Sequence, residues 1–442
     1  MSIETPKGWQ RLSLEETGTL STSSVDKKRA SSESEVFLVN YMDVYRQDFI
    51  NHRSRLMQVT ATNGEIQRSH ICLGDVLFTP SSETPDDIGH AAVVIDDLPR
   101  TLHSYHTVRL RPSDRFAIFT RYLGYAFKNP GLKKHFEKRA TGSTRFTLSL
   151  GDFRTGEFLL PPIEEQKLIT RFLDTLDTQI RRTEEVIAKL EQVKQGLLTD
   201  LLTRGIDENG ELRPSPEEAP ELYNDSPLGW VPKGWSVEKL EDLVENSSPI
   251  TYGVVQPGPH VEGGVPFLRG GDINRGRINI RDLRTISARV SRGYARTELR
   301  GGELVMSLVG YPGEVAVVPL TLARANIARQ AALIRLAQDK SASFVASYLS
   351  SKAGKAQVLG RSLGSAQQVV NLSDLRKTMI TIPPRCEQDL ITDNLDYLRK
   401  RIDLEEEELE KLRSQKIGLM DDLLTGRVRV TPLLEQAEQA TG

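Results

Sequence analysis

The densest concentration of ligand-reading chemistry in this chain is FLRGGDINRGRINIRDLR, from Phe267 to Arg284. Between Pro249 and Arg300 stand nine arginines and no lysine, against four acids, Glu262, Asp272, Asp282 and Glu298. The choice of base matters, because a planar guanidinium can make paired hydrogen bonds to guanine O6 and N7 or to phosphate, whereas an ammonium acts as a point charge. Gln256, Arg269, Asn274, Arg275 and Arg277 are the candidate contacts here. Further on, ARANIARQAALIRL supplies Arg324, Asn326, Arg329 and Gln330, adding amides of the type that read adenine. The composition points to a nucleic acid; a solvated arginine-rich surface is the plainer alternative.

The first part of the chain has the same flavour in different letters. SSVDKKRASSES carries Lys27 and Lys28 in a serine-rich loop, compatible with an ordered DNA-facing segment and equally with a flexible surface excursion. Arg46, at the end of NYMDVYR, and Arg53 and Arg55 add further basic candidates. GDVLF at Gly74 and GELVM at Gly302 occupy comparable places, and their alternating apolar residues suggest strands after a turn. Two glycine-led loops, TGSTRF at Thr141 and LGSAQQ at Leu363, offer Thr144, Arg145, Gln367 and Gln368 to DNA edges or backbone.

Other chemistry is not found. No G-x-x-x-x-G-K-[ST] loop exists for nucleotide-driven work, no glycine-rich cofactor fingerprint follows a strand, and the histidines show no metal spacing. The double prolines at Pro161 and Pro383 lack the preceding Asn or Asp that an amino-methyltransferase pocket would want; they suit helix starts. The reading is of a protein without its own active site, metal or cofactor. With a formal net charge of −2, any nucleic-acid surface must be a local patch. Two cysteines, Cys72 and Cys386, argue against a disulfide framework, and no apolar run is long enough to span a bilayer. A cytoplasmic protein is expected.

The elements that must position these side chains are duplicated. PPIEEQKLITRFLD at Pro161 returns as PPRCEQDLITDNLD at Pro383. At that separation Gly142 meets Gly364, Gln166 meets Gln388, Gly196 meets Gly418 and DLLT at Asp200 meets DLLT at Asp422. PKGW at Pro6 recurs at Pro232, while the interiors diverge. Each half is thus a variable body between a fixed opening and a fixed helix. In the first helix Ile169, Leu176, Leu190 and Leu197 recur in heptads, with Leu173, Ile180 and Ile187 four places on. The second repeats this with Ile391, Leu398, Leu412 and Leu419, and with Leu395, Ile402 and Leu409. Gly196 and Gly418 cost ~1 kcal/mol each inside a helix relative to alanine, which suggests close approach of another backbone. Such helices would run roughly 60 Å at ~1.5 Å per residue. The simplest partner of each seam is the other helix, and chain order makes the pair antiparallel; pairing with two separate partner chains is the alternative.

The expected fold is α+β: residues 1–160 and 232–382 form two mixed bodies at opposite ends of an antiparallel two-helix coiled coil, residues 161–205 and 383–427. Residues 206–231 are a linker and 428–442 a tail, with a pseudo-twofold internal repeat. Arg385 and Cys386 stand against the acidic pair Glu164 and Glu165, so two unequal helix openings are expected.

The two PP-x-x-EQ openings, the PKGW pair, NYMDVY, FLRGGDI and the LLTG-type ending together resemble the DNA-specificity subunit of type I restriction-modification systems. The resemblance covers about Pro6 to Arg427. It implies two target recognition domains, each reading one half of a split sequence in double-stranded DNA, with the helices spacing the halves. It further implies two modification subunits docked on the helices, carrying S-adenosylmethionine and flipping an adenine for N6 methylation. Restriction subunits with ATP and Mg would join them. The chain would not be a homo-oligomer and would have no membrane partner. The competing function is a freestanding twin-reader regulator; a coiled-coil scaffold explains the helices but not the arginine and amide clusters.

Overall fold

A computed structural model describes residues 5–360 and 368–433. The chain divides into two compact units, Met1–Glu184 with Glu407–Gly442, and Glu185–Glu406. Compaction therefore cuts inside both long helices and gives each unit one body plus a stretch of either helix.

In the first unit β1 (Gln10–Ser13) leads through α1 (Leu14–Thr17) to β2 (Gly18–Thr22), β3 (Ser34–Val39), α2 (Tyr41–Arg46), β4 (Phe49–Ile50), β5 (Met57–Ala61) and α3 (Asn63–Ser69). There follow β6 (Val76–Phe78), β7 (Ser81–Ser82), β8 (Ala91–Val94), β9 (Thr101–His103) and β10 (Val108–Pro112). Then come α4 (Thr120–Ala126), α5 (Pro130–Arg139), β11 (Phe146–Thr147), α6 (Leu150–Arg154), β12 (Glu157–Leu160) and the long α7 (Ile163–Thr203). A five-stranded sheet has the order β2-β10-β6-β8-β4, and a three-stranded sheet the order β5-β3-β9. β1 and β12 pair antiparallel and close the body where the chain enters and leaves it.

The second unit repeats the plan. Its strands are β13 (Tyr223–Asn224), β14 (Val231–Pro232), β15 (Ser236–Lys239), β16 (Thr251–Tyr252), β17 (Val265–Leu268), β18 (Ile273–Asn274), β19 (Arg277–Ile278) and β20 (Arg284–Ile286). After α8 (Ala288–Arg292) come β21 (Leu304–Ser307), β22 (Val315–Val317), β23 (Asn326–Ile327) and β24 (Ala331–Ile334). α9 (Ala342–Ser350), α10 (Lys352–Leu359), α11 (Leu372–Arg376) and β25 (Met379–Ile382) lead into α12 (Arg385–Leu424). The sheets are β16-β24-β21-β22 and β20-β17-β23, with β15 and β25 closing the body. The first and third strands of the smaller sheet run parallel in both units, β3 with β9 and β17 with β23.

GDVLF and GELVM do form strands, but not half-buried ones, because β6 and β21 are buried along their whole length. Side-chain alternation here sorts residues between two cores. Val76 and Phe78 join the aromatic core under α4 to α6, while Leu77 faces Val39, Ile50 and Val94. Leu304 and Met306 likewise face one core and Val305 the other.

The repeated motifs are joints. Trp9 donates its indole N–H to Glu165 at 3.3 Å, and Arg429 grips the same carboxylate at 2.6 and 3.1 Å. In the second unit Trp235 donates to Glu387 at 3.0 Å, Arg213 forms the matching fork, and the Ile206 amide donates at 2.8 Å. Glu387, and neither Arg385 nor Cys386, is therefore the counterpart of Glu165, and the expected inequality of the two openings is overturned for this position. The neighbouring glutamines also match. Gln166 accepts from the Phe119 amide at 2.7 Å and Gln388 from the Ser341 amide at 2.9 Å, and each returns its amide to the carbonyl of the first proline.

Within each unit the helix stretches run in opposite directions. In the first, Asp177 pairs with Lys416 and Glu184 with Arg413, so rising numbers on α7 meet falling numbers on α12. In the second, Leu198, Leu201 and Leu202 pack in one core with Ile391 and Leu395. Ile169, Leu173, Ile391, Leu395, Ile402, Leu409 and Leu412 are buried as expected; Leu176, Ile180, Ile187, Leu190, Leu197, Leu398 and Leu419 are partly buried. A Cβ on Gly196 or Gly418 would meet nothing within 4 Å, so among the described residues no other backbone approaches them; of the two approaches expected, by the neighbouring body or by a modification subunit, the first is not found.

Candidate nucleic-acid interface

In the second unit the ends of β16, β17 and β21 and the start of β24 gather on one surface. Glycine makes the gathering possible. A Cβ on Gly270 would lie 2.1 Å from the Val309 carbonyl and 2.7 Å from that of Gln330, so only a bare backbone lets these three segments meet. The Arg329 amide donates to Val254 at 2.9 Å and adds the β16 segment. The Val370 amide donates to Leu308 at 3.1 Å and brings up the chain that carries Gln368. Gln256, Arg269, Arg329, Gln330 and Gln368 are all exposed there. Tyr252 and Tyr311, 42% and 48% exposed, stand among them. Sequence reading passed over these tyrosines; their signal was a lone aromatic in a glycine-rich turn, as in GYPGE. Gln367 lies outside the described residues.

Arg269 begins the 270–272 turn, and Asp272 holds it from three sides. The Asp272 carboxylate accepts from the Arg269 backbone amide at 2.8 Å and from its guanidinium at 3.1 and 2.8 Å. In the first unit Asn40 holds the same place, its amide donating to Asp43 at 2.8 Å. NYMD and RGGD are therefore one structural position in two spellings.

Around Asn40 the first unit builds an equivalent surface richer in rings. Tyr41 stacks on Tyr45 at 5.9 Å, Tyr45 tilts against His90 at 4.6 Å, and Tyr105 lies 3.8 Å from His106. The Tyr105 amide donates to Val25 at 3.0 Å and ties in the lysine loop. Arg145 donates to the Ser81 hydroxyl at 3.0 Å, with Thr144 exposed beside it in the TGSTRF loop. Burial lowers the His106 pKa, and the positive charges of Arg145 and Lys27 add to that, so these three groups share one patch. The surface also holds an acid beside its rings: Asp87 accepts from Tyr45 at 3.0 Å and pairs with His90 at 2.8 Å. The lysine loop is held down, since Arg29 donates to the Gln58 carbonyl at 2.7 Å and the Ala30 amide to Thr60 at 2.8 Å. Lys27 and Lys28 project from it.

Other sequence candidates go elsewhere. Asn326 is 0% exposed. Its amide group donates to Ser291 and Tyr294, and its carbonyl accepts from Thr297 at 2.7 Å and Ile327 at 2.9 Å. Every polar atom is satisfied inside the body, so the expected adenine reader is a core residue. Arg275 and Gly276 both have positive φ and form the two-residue tip of the β18–β19 hairpin. That hairpin faces α12, where Arg277 pairs with Asp403 and Glu406, and Arg275 with Glu406 at 3.9 Å. With Asn274 they line a cleft of about 860 Å³ beside the helix stretches of this unit, and not the strand-end surface. Arg324 is exposed but precedes β23, at the opposite end of that strand from Arg329. Arg46, Arg53 and Arg55 are exposed; the last two follow β4, whose parallel partner β8 starts beside His90 and ends away from it.

Comparison with known proteins agrees with this duplication. A family described as the type I restriction modification DNA specificity domain matches residues 6–192 and again 232–414. The EcoBI type I restriction enzyme specificity subunit of Escherichia coli is 28% identical over 277 residues, which are 61% of this chain and 57% of that one. A Methanocaldococcus jannaschii protein named for the MjaX specificity subunit is 26% identical, covering 83% of this chain and 81% of its own. Among solved structures, the type I restriction-modification S subunit of M. genitalium superposes with a TM-score of 0.53 at 12% identity, covering 96% of this chain and 98% of that one. A chain from a structure titled for complex assembly and conformational transition of the type I R-M system gives 0.53 at 19% identity, covering 96% of this chain and 100% of its own.

Proposed function

Because the chain belongs to the type I restriction-modification DNA specificity family, we propose that it is the non-catalytic subunit that selects the DNA site for such a complex. Each body reads one half of a bipartite sequence, with its strand-end surface toward the duplex. One observation carries this reading: two bodies built on the same plan present equivalent surfaces whose basic, amide and aromatic residues differ. A shared frame with exchanged side chains is what reading two different half-sites requires.

The same proposal includes one antiparallel coiled coil that spaces the readers and docks two adenine-N6 methyltransferase subunits. Its support is the heptad seam and the opposed helix stretches inside each unit. Outside the seam, α12 also carries Leu390, Tyr397 and Leu404 in a second heptad row, 47%, 72% and 60% exposed. Such a row on a soluble helix suits burial by a partner helix. S-adenosylmethionine, ATP and Mg would be held by the partner subunits, with restriction subunits completing the assembly in the cytoplasm. No described helix is long and apolar enough to cross a membrane.

The test is to purify the chain alone and with methyltransferase subunits, and to measure binding to duplex DNA at fixed salt. Specific binding and adenine methylation that both need the methyltransferase subunits support the proposal. Tight, specific binding by the isolated chain, unchanged by those subunits, would favour the freestanding regulator.

A further inference from the structure

We infer that Arg269 is a specificity-determining residue of the second body, and that it reads a guanine through the major groove; the proposal rests on the specificity-subunit reading above. A guanidinium has two edges that each present a pair of parallel N–H donors, Nε with Nη2 and Nη1 with Nη2. Asp272 occupies the first edge, accepting from Nε at 3.1 Å and from Nη2 at 2.8 Å. No other acceptor meets this guanidinium among the described residues, and the side chain is 45% exposed while its Asp272 partner is 9% exposed. The second edge is therefore open, and it is already oriented. A third bond from the same carboxylate, to the Arg269 backbone amide at 2.8 Å, fixes the buttress to the turn it supports. Little side-chain freedom is left to lose when a base arrives.

The base follows from the donor pattern. Two parallel donors match O6 and N7 of guanine; adenine sets a donor beside its N7, cytosine offers a donor, and thymine a single acceptor with a methyl group. The approach is clear. A Cβ on Gly271 would meet nothing within 4 Å, so the fork is flanked by bare backbone, with Gln330 and Tyr311 exposed nearby. The first body has Asn40 at the equivalent position, with 7% exposure, so the guanine belongs to one half-site only.

The experiment selects sequences from a randomised duplex library with the full chain bound to methyltransferase subunits, comparing wild type, Arg269→Lys and Asp272→Asn. Wild type is expected to enrich a guanine at one fixed place in one block. Arg269→Lys keeps the charge but loses the fork, and should lower the preference for that guanine about tenfold or more, leaving the other block intact. Asp272→Asn, which removes one of the paired acceptors, should give a smaller loss at the same base. Unchanged guanine preference in Arg269→Lys overturns the inference. So does an equal loss of affinity for all sequences with a flatter salt dependence, which assigns Arg269 to phosphate. If wild type enriches no bipartite pattern, the specificity-subunit reading itself fails, and the proposal with it.

Discussion

The two units agree at their joints and differ at their strand ends. Glu165 and Glu387 each hold a tryptophan indole and an arginine fork, and the smaller sheets share one strand order. A few residues away, Asn40 corresponds to Arg269 and Tyr41 to Gly270 in equivalent turns, and the first surface holds an acid, Asp87, against its tyrosine and histidine. Conserving the mount while exchanging the exposed side chains is what the proposed reading of two different half-sites would need. The joint tryptophans, glutamates and glutamines are buried and mutually committed; the exchanged residues sit at turns and loops, where exchange costs the fold little.

The largest expected effect tests whether the joints are equivalent. Glu165→Ala and Glu387→Ala each leave a half-buried arginine and a buried indole donor without their carboxylate, and should destabilise their own unit by about 3 kcal/mol. Hydrogen exchange resolved by unit would show it; a loss confined to one variant would break the symmetry of the comparison.

Reader variants come next. Arg145→Ala should relax base preference only in the first half-site and Arg329→Ala only in the second, each by about 1–3 kcal/mol. Library selection with the methyltransferase complex reads this directly, and equal losses in both halves would mark a phosphate contact.

Acid should separate the units. Burial, reinforced by the Arg109 charge, holds the His103 imidazole down to about 3, against 6.5 when unfolded. The unfolded chain thus binds the extra proton between those values. The contribution of His103 to the first unit's stability is fully present above pH 6.5 and is lost as pH drops toward 3, by at most about 1.4 kcal/mol per pH unit. The second unit contains one histidine, His260, which is exposed. Equilibrium unfolding of His103→Leu from pH 7 to 4 should lack this term.

Smaller effects sharpen the map. Arg277→Ala breaks an ion pair with α12 and should cost at most about 1 kcal/mol, with base preference in the second half-site unchanged. Gly418→Ala should stabilise α12 by up to about 1 kcal/mol in thermal melting, since its Cβ enters open space.

What was legible in the sequence follows from these contrasts. PKGW and PP-x-x-EQ repeat because Trp, Glu and Gln all make the same short-range joint, so the architecture could be read from their recurrence. Glu387 stands 222 residues after Glu165, the separation of the rest of the repeat, so this pair was legible; setting Arg385 and Cys386 against Glu164 and Glu165 misplaced the register by one, and the bonds of Glu165 to Trp9 and of Glu387 to Trp235 put it right. The candidate surfaces were harder, since Lys27, Tyr41, Tyr105 and Arg145 meet only through non-local strand pairing. Asn326 looked like its neighbours Arg324 and Arg329 in composition, but it lies on β23, where its side chain turns into the core. Composition cannot say which way a residue on a short strand faces.

The most direct test of the two-reader account is single-molecule sequencing of methylated adenines in DNA exposed to the complete methyltransferase complex. The account predicts one asymmetric motif made of two short specified blocks at a fixed separation, with no preference between them. A single contiguous block, or a motif whose two halves are identical, would contradict it.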